Sequence, residues 1–112
     1  MKYTENSPEN SIRLMCIMAL VDDELHEDEV AMINKMGIEY GLEINKIKTI
    51  LEETKNLNSL EEVINDSLEL ITDKSTQQKT LSDVMKICTA DYLVKEKEYL
   101  FLQIAIDKWQ IF

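Results

Sequence analysis

The apolar positions along the chain recur at three- and four-residue intervals, the signature of amphipathic helices. Six such stretches can be drawn. The first opens at Ser7-Pro8-Glu9, where Ser7 can cap, Pro8 suits the first helical position and Glu9 complements the dipole, and it runs to about Val21. Its second half, Leu14 to Val21, is apolar nearly all round, which predicts a central position. The second runs from about Glu27 to Tyr40 on a stripe of Val30, Ile33, Met36 and Tyr40, and Gly41 is placed to stop it.

A third helix is expected over Ile44 to Lys55, with Ile44, Ile47, Ile50 and Leu51 inward. Ser59-Leu60-Glu61-Glu62 reads as a capping box that starts a fourth, running to about Ile71 and burying Leu60, Val63, Ile64, Leu68 and Ile71. Ser75-Thr76-Gln77-Gln78 reads as another, for a fifth helix to about Ala90 that buries Leu81, Val84, Met85 and Cys88. The sixth spans about Glu96 to Gln110 with Tyr99, Leu102, Ala105, Ile106 and Trp109 inward. No alternation of the strand type persists.

Composition agrees: two Gly and one Pro in 112 residues leave few helix breakers, and the length fits a single domain over residues 7–112. Residues 1–6 are polar and are expected to lack order. The formal charge of −10, from 22 acids against 12 bases, repels phosphate backbones and anionic lipid heads and points instead to cations or basic protein surfaces. Simple solubility is the plainer use of that charge. The longest apolar run, eight residues, is far short of the roughly 20 needed to span a bilayer, and no apolar leader is visible at the start. Cys16 and Cys88 sit inside apolar helical runs without metal-binding spacing. Reduced thiols and a cytoplasmic location are therefore expected. The six methionines read mainly as core filler, with Met18, Met32 and Phe101 as a lesser candidate surface. The tail, Trp109, Ile111 and Phe112, is expected to dock on the bundle or, failing that, to bind a partner.

Placing Asp22 over Asp91 aligns two halves at an offset of 91 − 22 = 69 residues. Met18 then meets Ile87, Val21 meets Ala90, Leu25 meets Val94, Glu27 meets Glu96, Glu29 meets Glu98 and Ile33 meets Leu102. Each half is an apolar helix, an Asp at its end, a short loop and a helix that opens with Glu. The expected fold class is all-α: an internally repeated bundle of about six helices, with two helical hairpins related by a pseudo-twofold axis. The stretches Val21-Asp22-Asp23-Glu24-Leu25-His26-Glu27-Asp28-Glu29 and Ala90-Asp91-Tyr92-Leu93-Val94-Lys95-Glu96-Lys97-Glu98 resemble the TerB-like (tellurite-resistance protein B-like) family. That family usually reads Ala-Asp-Gly, a few residues, then Glu, twice. The family's Gly is Asp23 in one copy and Tyr92 in the other, and Tyr tolerates a left-handed backbone poorly. The resemblance implies a TerB-like domain tied to tellurite resistance and broader stress responses, with repeated acids suspected of binding metal.

Two readings of the repeated acids stand side by side. Asp22, Glu29, Asp91 and Glu98 can cap the helices that follow them. Alternatively they converge as ligands for a divalent cation such as Ca²⁺ or Mg²⁺. The loop is no EF-hand, since the sixth and twelfth residues from Asp22 are Glu27 and Ile33. His26, the only histidine, reads as a solvated loop residue. No Ser/His/Asp arrangement, nucleophile elbow, phosphate loop or HExxH occurs. The sequence thus favours a non-catalytic protein-interaction or scaffold module with protein partners, no nucleic acid and an open oligomeric state. A divalent-metal sensor or buffer is the alternative, and a metal-assisted hydrolase ranks lower.

Overall fold

Helix α1, Pro8–Leu20, is buried on almost every side: Ile12, Leu14, Met15, Cys16, Ile17, Met18 and Ala19 are all within about one per cent of complete burial. An element that is apolar all round is stable only when other elements surround it, and α1 contacts each of the five other helices. These are α2 (Glu27–Glu39), α3 (Ile44–Lys55), α4 (Leu60–Glu69), α5 (Lys74–Cys88) and α6 (Glu96–Trp109). The computed structural model describes residues 4–21, 26–57, 60–88 and 96–110, without the side chains of residues 61, 62 and 96–98. Among the described residues every regular element is a helix, and none is long and apolar enough to cross a membrane.

The hairpins α1–α2 and α5–α6 each pack internally, and α1 lies against α5. α2 crosses to α5, and α6 crosses to α1. The remaining pair breaks this balance, because α3 and α4 both lie on α1, α3 also on α2 and α4 also on α6. The core therefore gathers around α1, while α5 keeps a solvent face with Met85 and Lys86 exposed.

Helix ends follow local chemistry. Gly41, at φ +90°, closes α2 as expected: its N–H bonds the Ile38 carbonyl and the Leu42 N–H reaches back to Gly37, the paired bonds of a glycine-stopped helix. Ser7 is the N-cap residue of α1, but its hydroxyl makes no capping bond; its carbonyl accepts the Asn10 N–H and its own N–H reaches the Thr4 carbonyl. The capping box expected at Ser75–Gln78 is replaced by a cap two residues earlier. α5 begins at Lys74, and Asp73 Oδ2 accepts the Thr76 N–H and the Ser75 and Thr76 hydroxyls. Those bonds hold the Asp73 carboxyl below its ordinary pKa. The box expected at Ser59 involves Ser59 and the Glu62 side chain, both outside the described residues.

Of the six residues expected to lack order, 1–3 lie outside the described residues, and Asn6 is tied across the domain. Its N–H bonds the Leu70 carbonyl at 2.7 Å and its Oδ1 accepts the Thr72 and Asp73 N–H groups. The tail residues Ile111 and Phe112 lie outside the described residues.

Three residues expected inside are exposed. Tyr99 on α6 and Met85 on α5 lie about a third of a turn from the centre of their buried stripes, which run through Phe101, Leu102, Ala105 and Trp109 and through Thr80, Leu81, Val84 and Ile87. Ile44 is the first residue of α3, beyond the reach of its neighbours' packing. Phe101 and Met18, in contrast, are buried, and Met32 packs against the core, so that lesser candidate surface does not form.

Candidate functional site

The four repeated acids were the candidate site, and only one is described with its side chain. Glu29 stands in the first turn of α2, where the chain leaves an extended residue, His26, and enters the helix. Helix N-termini present unpaired N–H groups and a partial positive charge. Glu29 answers both. Its Oε1 accepts the His26 N–H at 3.1 Å, and the residue is only 4% exposed. Glu27 and Asp28, in the same first turn, remain at the surface. His26 itself is half-buried as the N-cap residue rather than fully solvated. Asp22 and Asp91 lie outside the described residues. Glu98 lies on α6, with its side chain outside them. Among the described residues, no group of three or more His, Cys, Asp and Glu side chains is arranged to hold a metal ion.

A second polar constellation was not singled out from the sequence. Asp83, on α5, is buried and accepts the Tyr40 hydroxyl at 3.0 Å from the C-terminal end of α2. Two lysines of its own helix approach it, Lys79 at 3.1 Å and Lys86 at 3.6 Å. The Lys79 ammonium also stands 4.4 Å from the centroid of the Tyr40 ring, within cation–π range. Burial pushes the Tyr40 phenol above its ordinary pKa, against a hydrogen bond from Thr80 that pulls it down, with Asp83 adding to the rise. The bond to Asp83 raises Lys79. The only sequence signal was the lysine spacing around Asp83, three and four residues away, which on a surface helix is commonplace.

The same network reaches the core. Thr80, whose hydrogen bond lowers the Tyr40 phenol's pKa, lies one turn before Asp83 on α5, and the Tyr40 hydroxyl donates to Asp83. Ser11 and Thr80, both fully buried, face each other with hydroxyl oxygens 2.9 Å apart. The Ser11–Thr80 pair ties α1 to α5, as the Tyr40–Asp83 bond ties α2 to α5. Chemically these are ties between helices. Thr80→Val is expected to cost about 1–3 kcal/mol, because Ser11 is left with a buried, unmatched hydroxyl. Adding Ser11→Ala to it should cost less than the sum of the single changes, by about 1 kcal/mol in a urea-denaturation cycle. Strict additivity would mean the two hydroxyls do not cooperate.

The surface offers a third feature. Tyr99 is 61% exposed, Leu100 54% and Ile104 37%, all on α6. Leu100 and Ile104 are four residues apart, one above the other on the outer face. Asp107, three residues beyond Ile104, is exposed and accepts a bond from Gln103 at 3.0 Å. Lys108 turns to Glu69 of α4, also at 3.1 Å. At the positions 69 residues earlier, exposed Ala31 and Lys35 take the places of Leu100 and Ile104. No family model matches this chain, and neither the search of curated proteins nor that of solved structures returns a match.

Proposed function

We propose that the chain is a non-catalytic protein-interaction or scaffold module, a TerB-like repeated bundle serving a stress response of the tellurite-resistance kind. The observation that carries the interaction reading is the outer face of α6, where Leu100 and Ile104 stand exposed together on a helix of an acidic domain, with Tyr99 exposed on its flank. Scattered exposed apolar residues need no explanation, but adjacent ones on a single face mark contact surfaces. A formal charge of −10 argues for a protein partner and against nucleic acid.

Two features support the repeated architecture within this proposal. Helix α2, shifted by 69 residues, spans 96–108, against Glu96–Trp109 for α6. Ser11 and Thr80 are also separated by 69 residues, and their hydroxyls touch. Positions equivalent under a twofold axis meet each other only on that axis, so this pair is where a pseudo-dyad would pass.

The helix-capping role of Glu29 favours the capping reading for that member of the acidic quartet. A divalent cation enters the proposal only as a modulator at the loops carrying Asp22 and Asp91. Cross-linking and capture from the native host, with the intact chain as bait, should yield a saturable protein partner that the variant Leu100→Asp/Ile104→Asp no longer retains. Absence of any specific partner, or undiminished capture by that variant, would count against the proposal.

A further inference from the structure

Resting on the interaction reading above, we infer that the outer face of α6 receives a basic amphipathic helix from another protein. The shape of the surface selects a helix. Leu100 and Ile104 form one ridge element at the four-residue spacing, and such ridges pack into the grooves of a second helix, which returns apolar residues at positions i, i+3 or i+4. Strand addition needs an open sheet edge, and the described residues form none.

Charge selects the sign of the partner. Asp107 lies one turn beyond Ile104 on the same face, exposed, and its partner among the described residues is the neutral Gln103 amide. The cation next to it in sequence, Lys108, is engaged with Glu69. Among the described side chains of α6, the apolar pair is thus bordered by an acid with no cation engaged to it. An arginine or lysine one turn from the partner's apolar pair would meet it. At longer range the −10 charge of the chain attracts a basic segment and repels a second copy of itself. The register supports a use specific to this helix: α2 carries Ala31 and Lys35 where α6 carries Leu100 and Ile104, so the same position can be occupied without exposing large apolar side chains. A contact this small falls in the range of weak, transient interfaces.

The test is selection of peptides long enough for several helical turns, from a library unbiased in charge, against the intact chain. The enriched peptides are expected to be net positive, with apolar residues at i and i+4. Their affinity should fall at least tenfold for Leu100→Asp/Ile104→Asp, and severalfold for Asp107→Lys, with circular dichroism confirming that each variant is folded. Binding should also weaken as salt rises. Enrichment of acidic or non-helical peptides, equal binding to the double variant, or no enrichment at all overturns the inference. So does a dimer, seen in sedimentation, that Leu100→Asp/Ile104→Asp dissolves, because the face would then serve a second copy. A native partner captured through an acidic or extended segment leaves the interaction proposal standing while this inference falls.

Discussion

Trp109→Ala is expected to remove about 3–5 kcal/mol of stability, the range for truncating a large buried aromatic side chain. Trp109 lies near the end of α6, 7% exposed, and its indole N–H donates to the Leu68 carbonyl of α4 at 3.0 Å. One side chain thus fills the core and fastens the last helix to the fourth. A domain of this kind has about 5–15 kcal/mol in total, so the variant would be marginal at physiological temperature. Trp109→Phe keeps most of the apolar area and drops the donor, and about 1 kcal/mol is expected from the lost bond. Tyr99→Ala, ten residues earlier on the same helix, should fall within roughly 0.5 kcal/mol of the parent, because that ring is exposed. Urea denaturation of the three variants checks the set. A cost below about 1 kcal/mol for Trp109→Ala would mean that α6 is not docked as described.

What the chain's pattern disclosed, and what it hid, follows the reach of the forces involved. Helix identity depends on near neighbours, and all six helices are where the three- and four-residue spacing puts them, with α3 at Ile44–Lys55 and α2 and α6 beginning at Glu27 and Glu96. The centrality of α1 was legible because Leu14 to Ala19 has no polar face to turn to water. The rotation of α5 and α6 about their own axes was less so, since a stripe two residues wide can be centred in more than one way. Met85 and Tyr99 fall on its edge and go outside. Polar ties across long sequence distances left almost no trace. Nothing in the local sequence around Ser11 or Tyr40 announces Thr80 or Asp83, because those partners are supplied by the packing of α1, α2 and α5. For the acidic quartet, the choice between cap and ligand turned on where a carboxylate points. Glu29 points at the His26 N–H, a bond that the Ser/Thr-x-x-Glu rule does not flag when His occupies the first position.

Alkaline pH is expected to destabilise the domain from about pH 9 upward. Burial in α1 pushes the Cys16 thiol up from 9.0 to about 12. Between those values an unfolded chain releases the thiol proton and the folded one keeps it. The folded state then binds more protons, so stability falls as pH rises. Over the full interval the loss is on the order of 4 kcal/mol, at about 1.4 kcal/mol per unit. Two further groups act in the same direction. Tyr40 is raised first by burial, and Lys79 is raised first by its bond to Asp83, so each adds stability that is complete below its unfolded pKa and declines above it. Urea midpoints measured under reducing conditions at pH 7, 9, 10 and 11 should be level at first and then fall steeply. Cys16→Ala creates a small cavity and lowers stability at neutral pH, but its decline above pH 9 should be shallower, since the largest shift has been removed while those of Tyr40 and Lys79 remain. Thiolate absorbance of a Cys88→Ala variant supplies the direct check: the Cys16 thiolate should appear only as the protein unfolds. A Cys16 thiol that titrates near 9 while circular dichroism still reports intact helices would show that water reaches the middle of α1, and the central-helix packing would have to be redrawn.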